Sequence, residues 1–289
     1  MKKVLILSLA LILLLGITSR GTSAFFSDTE TSTGNQFTAW VEEVVCTCEK
    51  FNVSDKPDAK IYKYNASGTP VDSFGLSGDN GFPTGVAAVG TNVYVIDHAR
   101  KQVYKYDCCG TLEDVSKKLL KAVGPSSVGN IDGLAIYGTE MWVLSGNDKN
   151  IYRYPLGTAF SGPGDINAAQ KITLDTDNKG AAGLAIDSNY LYVVDYSTST
   201  PKETRFYQYP HPGGTPVTVS KVLLEYTTNN KLQSPAGAML DGTSLWVVDD
   251  GTDKMYEYDI TNLFDGVGIE ENATSEFALD GNNADATGV

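Results

Sequence analysis

The chain has 289 residues, with 35 acidic side chains against 22 basic ones, a formal net charge of −13 and a sequence pI near 4.5. That balance excludes a nucleic-acid binder, which needs a positive footprint, and adhesion to bare anionic lipid. The length suffices for one large core, and 29 glycines with only 11 prolines suit a domain of many tight turns without low complexity.

Met1-Lys-Lys3 opens the chain with charge, and Val4 to Ile17 follows as an apolar core. The stretch is too short for a stable membrane span and has the form of a secretory signal. Small residues, Thr22-Ser-Ala24, precede the expected cut. The next stretch carries Phe26-Ser-Asp-Thr-Glu30 and then Gly34-Asn35-x-Phe37-Thr-Ala39. These residues resemble the leader class processed by the SipW-type signal peptidase, which serves camelysin-like and biofilm-fibre proteins. The resemblance implies cleavage between Ala24 and Phe25 and an exported surface or matrix protein. The usual Gly-Thr after the last Ala of the motif is replaced here by Trp40-Val41, and the rest of the camelysin fold is absent. Residues 1–24 are thus read as signal peptide, 25–49 as export-motif segment and linker, and 50–289 as one β-domain.

A Tyr-x-Tyr strand recurs five times in that domain. The copies are Ile61-Tyr-Lys-Tyr64, Val103-Tyr-Lys-Tyr106, Ile151-Tyr-Arg-Tyr154, Phe206-Tyr-Gln-Tyr209 and Met255-Tyr-Glu-Tyr258, stepping by 42, 48, 55 and 49 residues. Each full unit opens with Gly and small apolar residues, as in Gly85-Val-Ala-Ala88 and Gly133-Leu-Ala-Ile136. A turn follows, then a continuously apolar strand such as Val93-Tyr-Val-Ile96 or Leu245-Trp-Val-Val248, then the tyrosine strand. Looser apolar runs close the units: Val71–Phe74, Leu119–Ala122, Lys171–Leu174, Val222–Glu225 and Glu276–Leu279. Repeats of this length, made of short strands, are the mark of a β-propeller of four-stranded blades. Only residues 115–122 and the N-terminus show helical periodicity. Side chains alternate along a strand, so the two tyrosines share one face, and Lys63, Lys105, Arg153, Gln208 and Glu257 point the other way with tips reaching water. Asp55, Asp97, Asp195 and Asp249 close second strands, with Ser145 in the remaining unit. Asp at that point fixes a turn through backbone N–H groups.

The stretches Pro83-Thr-Gly-Val-Ala87, Val93-Tyr-Val-Ile-Asp97 and Val103-Tyr-Lys-Tyr-Asp107 resemble the NHL-type six-bladed propeller repeat, and Ser234-Pro-Ala-Gly237 to Asp249 repeats the pattern. The resemblance covers about residues 50–289 and speaks to fold, since such propellers host binding, scaffolding, lyase and hydrolase functions. Phe51-Asn-Val-Ser-Asp55 matches a second strand with no first strand before it, and Thr287-Gly-Val289 matches the opening of a first strand. Two arrangements follow. The C-terminal strand completes the first blade and closes a five-bladed ring, or the chain is part of a six-bladed or larger propeller continuing past Val289. The second is the expectation taken forward.

Cys46, Cys48, Cys108 and Cys109 fall in loops on one face of a propeller, so one or two cross-blade disulfides are expected, with three possible pairings. Four-thiolate zinc ranks well below, because neither pair has zinc-knuckle spacing. His98 follows Asp97 in a loop near the channel opening, and His211 is expected on the opposite face. Asp175-Thr-Asp-Asn-Lys-Gly180 begins like a calcium loop, but Lys179 holds its fifth position and Ile186 stands where a bidentate Glu belongs. Turn chemistry accounts for it, and calcium keeps a minor share; no other cofactor is indicated. Asn52-Val-Ser54, Asn65-Ala-Ser67 and Asn272-Ala-Thr274 fit the N-glycosylation pattern. The residues before each first-strand glycine, Thr84, Asp132, Ala182, Ala236 and Thr287, are candidates for the inner rim. Only one is acidic, which favours a binding module for protein or polysaccharide at the cell exterior over a metal-dependent lyase or lactonase of the gluconolactonase-like kind.

The leader generates the first prediction. Mass spectrometry of the exported protein should find Phe25 as its first residue; a form retaining Lys2 and Lys3 would contradict the reading.

Overall fold

The tyrosine strands are the third strands of five antiparallel four-stranded blades. The computed structural model describes residues 46–122, 124, 126–196, 203–211, 218–283 and 285–289. The leader, with Ala24 and Phe25, and the export motif lie outside the described residues. From the axis outward, blade 1 comprises Ala286–Gly288, Phe51–Asp55, Lys60–Tyr64 and Pro70–Gly75. Blade 2 comprises Pro83–Val89, Asn92–Asp97, Gln102–Asp107 and Leu112–Val115. Blade 3 comprises Gly133–Tyr137, Glu140–Ser145, Asn150–Pro155 and Gln170–Thr173. Blade 4 comprises Ala181–Ile186, Tyr190–Tyr196, Thr204–Pro210 and Thr218–Val219. Blade 5 comprises Pro235–Asp241, Ser244–Asp249, Lys254–Asp259 and Ser275–Ala278.

No sixth blade occurs among the described residues. The strand read as the opening of a further blade instead pairs with the first one, Asp55 opposite Ala286 and Ser54 opposite Gly288. The ring therefore closes at five. The physical reason lies on the axis. Gly85, Gly133, Gly183, Gly237 and Gly288 each turn their bare Cα toward the next blade. A Cβ on Gly85 would stand 2.9 Å from Leu134 N, and one on Gly133 3.0 Å from Leu184 N. The corresponding distances are 2.7 Å from Gly183 to Ala238 N, 2.8 Å from Gly237 to the Gly288 Cα, and 2.5 Å from Gly288 to Thr84 O. Five inner strands thus meet backbone to backbone, and each contact needs a residue without a side chain.

Three further expectations are corrected. The apolar runs 119–122 and 222–225 are not fourth strands of blades 2 and 4; the more polar Leu112–Val115 and Thr218–Val219 are. Lys118–Leu120 and Val222–Leu224 instead pair in parallel with Asp165–Asn167 and Glu270–Asn272 from the long loops of blades 3 and 5. Buried Leu119 and Leu223 fill the seams between blades, which is why those runs are more apolar than the strands they were taken for. The helical periodicity of 115–122 accordingly yields a strand. Lys63 does not reach water either. It is 3 % exposed, and its amine lies between Asp72 at 3.0 Å and the Cys108 carbonyl of blade 2 at 3.1 Å. The other polar residues at that position stay half-exposed: Lys105 pairs with Glu113, and Arg153 with Glu140.

The second tyrosine of each copy locks its blade to the preceding connection, in one of two ways. Tyr106, Tyr209 and Tyr64 accept a backbone N–H from Ser77, Asp175 and Asp280, and an amide N–H from the buried Asn80, Asn178 and Asn283. Tyr154 and Tyr258 donate to the carbonyls of Leu120 and Leu224. Burial raises all five phenol pKa values, keeping the groups neutral and able to play either part. The aspartates ending second strands act as clamps. Asp97 accepts Arg100 N at 2.6 Å within its own turn and Phe82 N at 3.3 Å from the incoming connection. Asp249 accepts Gln233 N, Ser234 N and Gly251 N in the same manner. Where Ser145 replaces the acid, Asp148 takes over and accepts Gly129 N at 2.8 Å.

Cys48, before blade 1, is bonded to Cys108, after the third strand of blade 2, with Cα atoms 4.8 Å apart. Cys46 and Cys109 are also in disulfide linkage, so no cysteine is free.

Two outcomes follow for stability. Gly183→Ala forces a methyl into the backbone of blade 5 and should cost about 1–3 kcal/mol by overpacking. Gly75→Ala, with nothing within 4 Å of its Cβ position, should leave the urea midpoint unchanged; equal midpoints for both variants would remove the ring from the account. Removing the Cys48–Cys108 link, which spans 60 residues, should lower stability by about 2–4 kcal/mol, read as the shift of the urea denaturation curve of the Cys48→Ser, Cys108→Ser double variant from that of the wild type, both without reductant.

Candidate functional site

The glycine ring divides the axis into two ends of different chemistry. Inner strands begin at one end, where the inter-blade connections and second-to-third-strand turns also lie. They finish at the other, beside the first-to-second-strand turns and third-to-fourth-strand loops.

The first end is polar. Thr84 donates to Ile131 O at 2.7 Å, and Thr287 donates to Pro83 O at 2.8 Å. Both rim hydroxyls therefore stitch one blade to the next. Asp132 accepts Gly146 N at 2.7 Å. Burial raises its carboxyl pKa, opposed by that hydrogen bond and by the nearby His98 and Lys101. Burial also lowers the Lys101 amine, against the pull of Asp132 and Asp97; the amine donates to His98 O. His98 is half-buried, with Nδ1 3.2 Å from Ile131 O. Across the ring, burial and the neighbouring Asp285 and Asp253 raise Asp250. Ala182 and Ala236 contribute no polar group. Among the described residues, no three His, Cys, Asp or Glu side chains are grouped to hold a metal ion. In the calcium-like stretch, Asp175 Oδ1 accepts Asp177 N at 2.9 Å, an ordinary turn contact.

The second end is an open cup in which apolar side chains surround a lining that is close to half polar. Val86, Leu134, Leu184 and Ala238 form its floor above the glycines, and Ile136, Ile186, Met239 and Leu240 its walls, around a cavity of 140 Å³. Val89, in the lining, is 41 % exposed, and Tyr137, next in sequence to the lining residue Ile136, is 46 % exposed. Lys50 and Asn52 of blade 1 and Val289 also line the cavity. Lys50 is tied to Asp241 at 2.7 Å and lies 5.1 and 5.3 Å from the ring centroids of Phe51 and Trp246. Asn52 is 3 % exposed. Its Nδ2 donates to Glu49 O at 3.0 Å, and its Oδ1 has no partner.

The two histidines lie at opposite ends. His211 is held by Asp187 O at 2.8 Å and packs near Trp142 and Tyr137. Of the sequon asparagines, Asn52 is buried, Asn65 is engaged by Ser67 and Thr69, and Asn272 is exposed. Asn52 and Lys50 were missed as cup residues by sequence reasoning. In sequence Asn52 reads as part of an ordinary sequon and Lys50 as the first residue of the domain.

No protein-family model matches the chain, and no curated protein does. Among solved structures, a crystal structure of a nidogen/laminin complex is similar with a TM-score of 0.52 and 13 % identity, over 82 % of this chain and 95 % of that one. A virginiamycin B lyase from Staphylococcus aureus follows at a TM-score of 0.43 and 13 % identity, over 88 % and 77 % of the two chains. Hydrazine synthase from Kuenenia stuttgartiensis has a TM-score of 0.45 and 12 % identity, over 77 % and 80 %. At such identities the likeness to the first is one of fold, a β-propeller.

Proposed function

We propose that this is an exported propeller that binds a protein partner at the apolar end of its axis, at a cell surface or in an extracellular matrix. The cup carries the reading. It is a concave site on the ring in which apolar side chains meet polar groups, with Val89 exposed in its lining and Tyr137 exposed beside it, and such a concave mixed site suits binding. Cystine-linked cysteines accord with an oxidising exterior, and so does the acidic surface. Among the described residues no helix is long and apolar enough to cross a membrane. The nidogen/laminin structure shares the fold and was determined as a complex of two proteins, which supports a protein over a polysaccharide as the partner.

The competing reading is a lyase or lactonase using the polar end, where Asp132 and His98 lie near one another. One pair of experiments separates the two. Photoreactive benzoyl-phenylalanine placed at Tyr137 should give a protein adduct of defined mass on producing cells; the same group at Phe82, exposed at the polar end, should not. His98→Ala should hold stability within about 0.5 kcal/mol and leave the adduct unchanged. Adducts from position 82 alone, or lactone turnover that His98→Ala lowers by roughly 10²–10⁴-fold as expected for a lost general base, would overturn the proposal.

A further inference from the structure

We infer that the ring carries a second docking surface on its rim, where the edge strand Glu270–Asn272 pairs with an extended basic segment of a partner protein that covers Val267 and Ile269. This surface is separate from the cup and stands on different observations.

The first is apolar exposure on a fixed base. Val267 and Ile269 are 70 % and 76 % exposed, the two most exposed large apolar side chains among the described residues. The loop that carries them is tied down. Lys221, with its side chain 9 % exposed, holds Asp265 at 3.0 Å and Glu271 at 2.9 Å. Asp265 Oδ1 accepts Val267 N at 2.7 Å, and Val222 N donates to Ile269 O at 2.9 Å. Gly266 and Gly268, on either side of Val267, take φ of +72° and +80°, a conformation that other residues rarely adopt. Apolar side chains held out from a fixed loop mark an interaction surface.

The second is an unused sheet edge. Glu270–Asn272 pairs on one side only, in parallel with Val222–Leu224. Ile269 O and Ala273 N bond toward that strand, as do the backbone groups of Glu271 in the same register. The N–H and C=O groups of Glu270 and Asn272 therefore turn to the outer side, where both residues are exposed. Such an edge is a template for one more strand.

The third is charge. Asp265, Glu270 and Glu271 line the edge, and the Lys221 ammonium between them is already engaged by two of the three. The surplus is negative, so the added strand carries Lys or Arg.

The ring holds its own control. The blade 3 ribbon repeats the scaffold: Asp165–Asn167 pairs in parallel with Lys118–Leu120, Lys117 N donates to Ala159 O as Lys221 N does to Leu263 O, and Gly162 shares the positive φ of Gly266. Gly164 O accepts Lys118 N as Ile269 O accepts Val222 N. Pro163 and Gly164 thus stand where blade 5 has Val267 and Ile269, so the ribbon itself does not require an exposed apolar pair.

The test uses the oxidised protein and a short labelled peptide of alternating lysine and valine, read by fluorescence anisotropy and by NMR-detected amide exchange. The peptide should bind and slow exchange at Glu270 and Asn272, leaving Asp165 and Asn167 unchanged. The Val267→Ser, Ile269→Ser double variant should weaken it about tenfold to a hundredfold, as expected for two side chains that lose partial burial. The same peptide N-methylated at every amide keeps its charge and side chains but cannot pair as a strand, and it should not bind. No binding by the parent peptide, undiminished affinity for the double variant, equal binding of the N-methylated form, or protection at Asp165 and Asn167 instead would overturn the inference. Adhesion by charge alone gives the second and third of these. The Tyr137 adduct scores the cup separately, so failure at the rim leaves that reading standing.

Discussion

Everything in this ring depends on the approach of five inner strands to within van der Waals distance of one another. Hydrophobic burial between blades is non-directional and would accept several blade numbers. Backbone contact on the axis is not so tolerant. With Cα positions at Gly85, Gly133, Gly183, Gly237 and Gly288 facing the next strand's backbone, the ring has the smallest bore its strands allow. The bore also explains why the axis is not a through channel, and why polar and apolar chemistry remain at opposite ends of it. A wider ring would have let the rim groups Asp132, Thr84 and Thr287 share one cavity with the apolar walls. Here they do not, and two of the three are used to sew neighbouring blades together.

Much of this was legible in the sequence. The spacing of Tyr62, Tyr104, Tyr152, Tyr207 and Tyr256 gives the repeat, and the glycine before each small apolar run marks the start of an inner strand. The aspartate clamps were legible too, because a carboxylate one turn from free N–H groups has little else to do. Blade number was legible only as an alternative. Phe51–Asp55 reads as a second strand without a first and Thr287–Val289 as the opening of one, but these lie at opposite ends of the domain and the pattern alone does not choose between their pairing and a further blade. The fourth strands of blades 2 and 4 are hidden for a different reason. Apolar content does not mark them, because Leu119 and Leu223 owe their burial to the seams between blades, whereas the edge strands face solvent and read as polar.

The cup shows the same limit at the level of a site. Its walls are the residues that any inner strand supplies, so Ile136 or Met239 looks like core. The distinguishing group is Asn52, which in one dimension belongs to an ordinary glycosylation pattern. Closure of the ring through Asp55 and Ala286 brings it beside the axis, and that pairing joins residues 231 positions apart in the sequence.

The junctions between blades come in two kinds, one built on a buried asparagine beneath a tyrosine hydroxyl and one on a parallel ribbon capped by a tyrosine donating to a leucine carbonyl. Around the ring they run asparagine, ribbon, asparagine, ribbon, asparagine, from the blade 1–2 junction to the blade 5–1 junction. Two alternating motifs cannot tile an odd cycle without a fault. The fault falls on blade 1, flanked by two junctions of the same kind. That blade is assembled from both ends of the domain and carries the Cys48–Cys108 staple to its neighbour. Parity, rather than any single residue, singles out one blade of five and breaks the equivalence of the ring's parts.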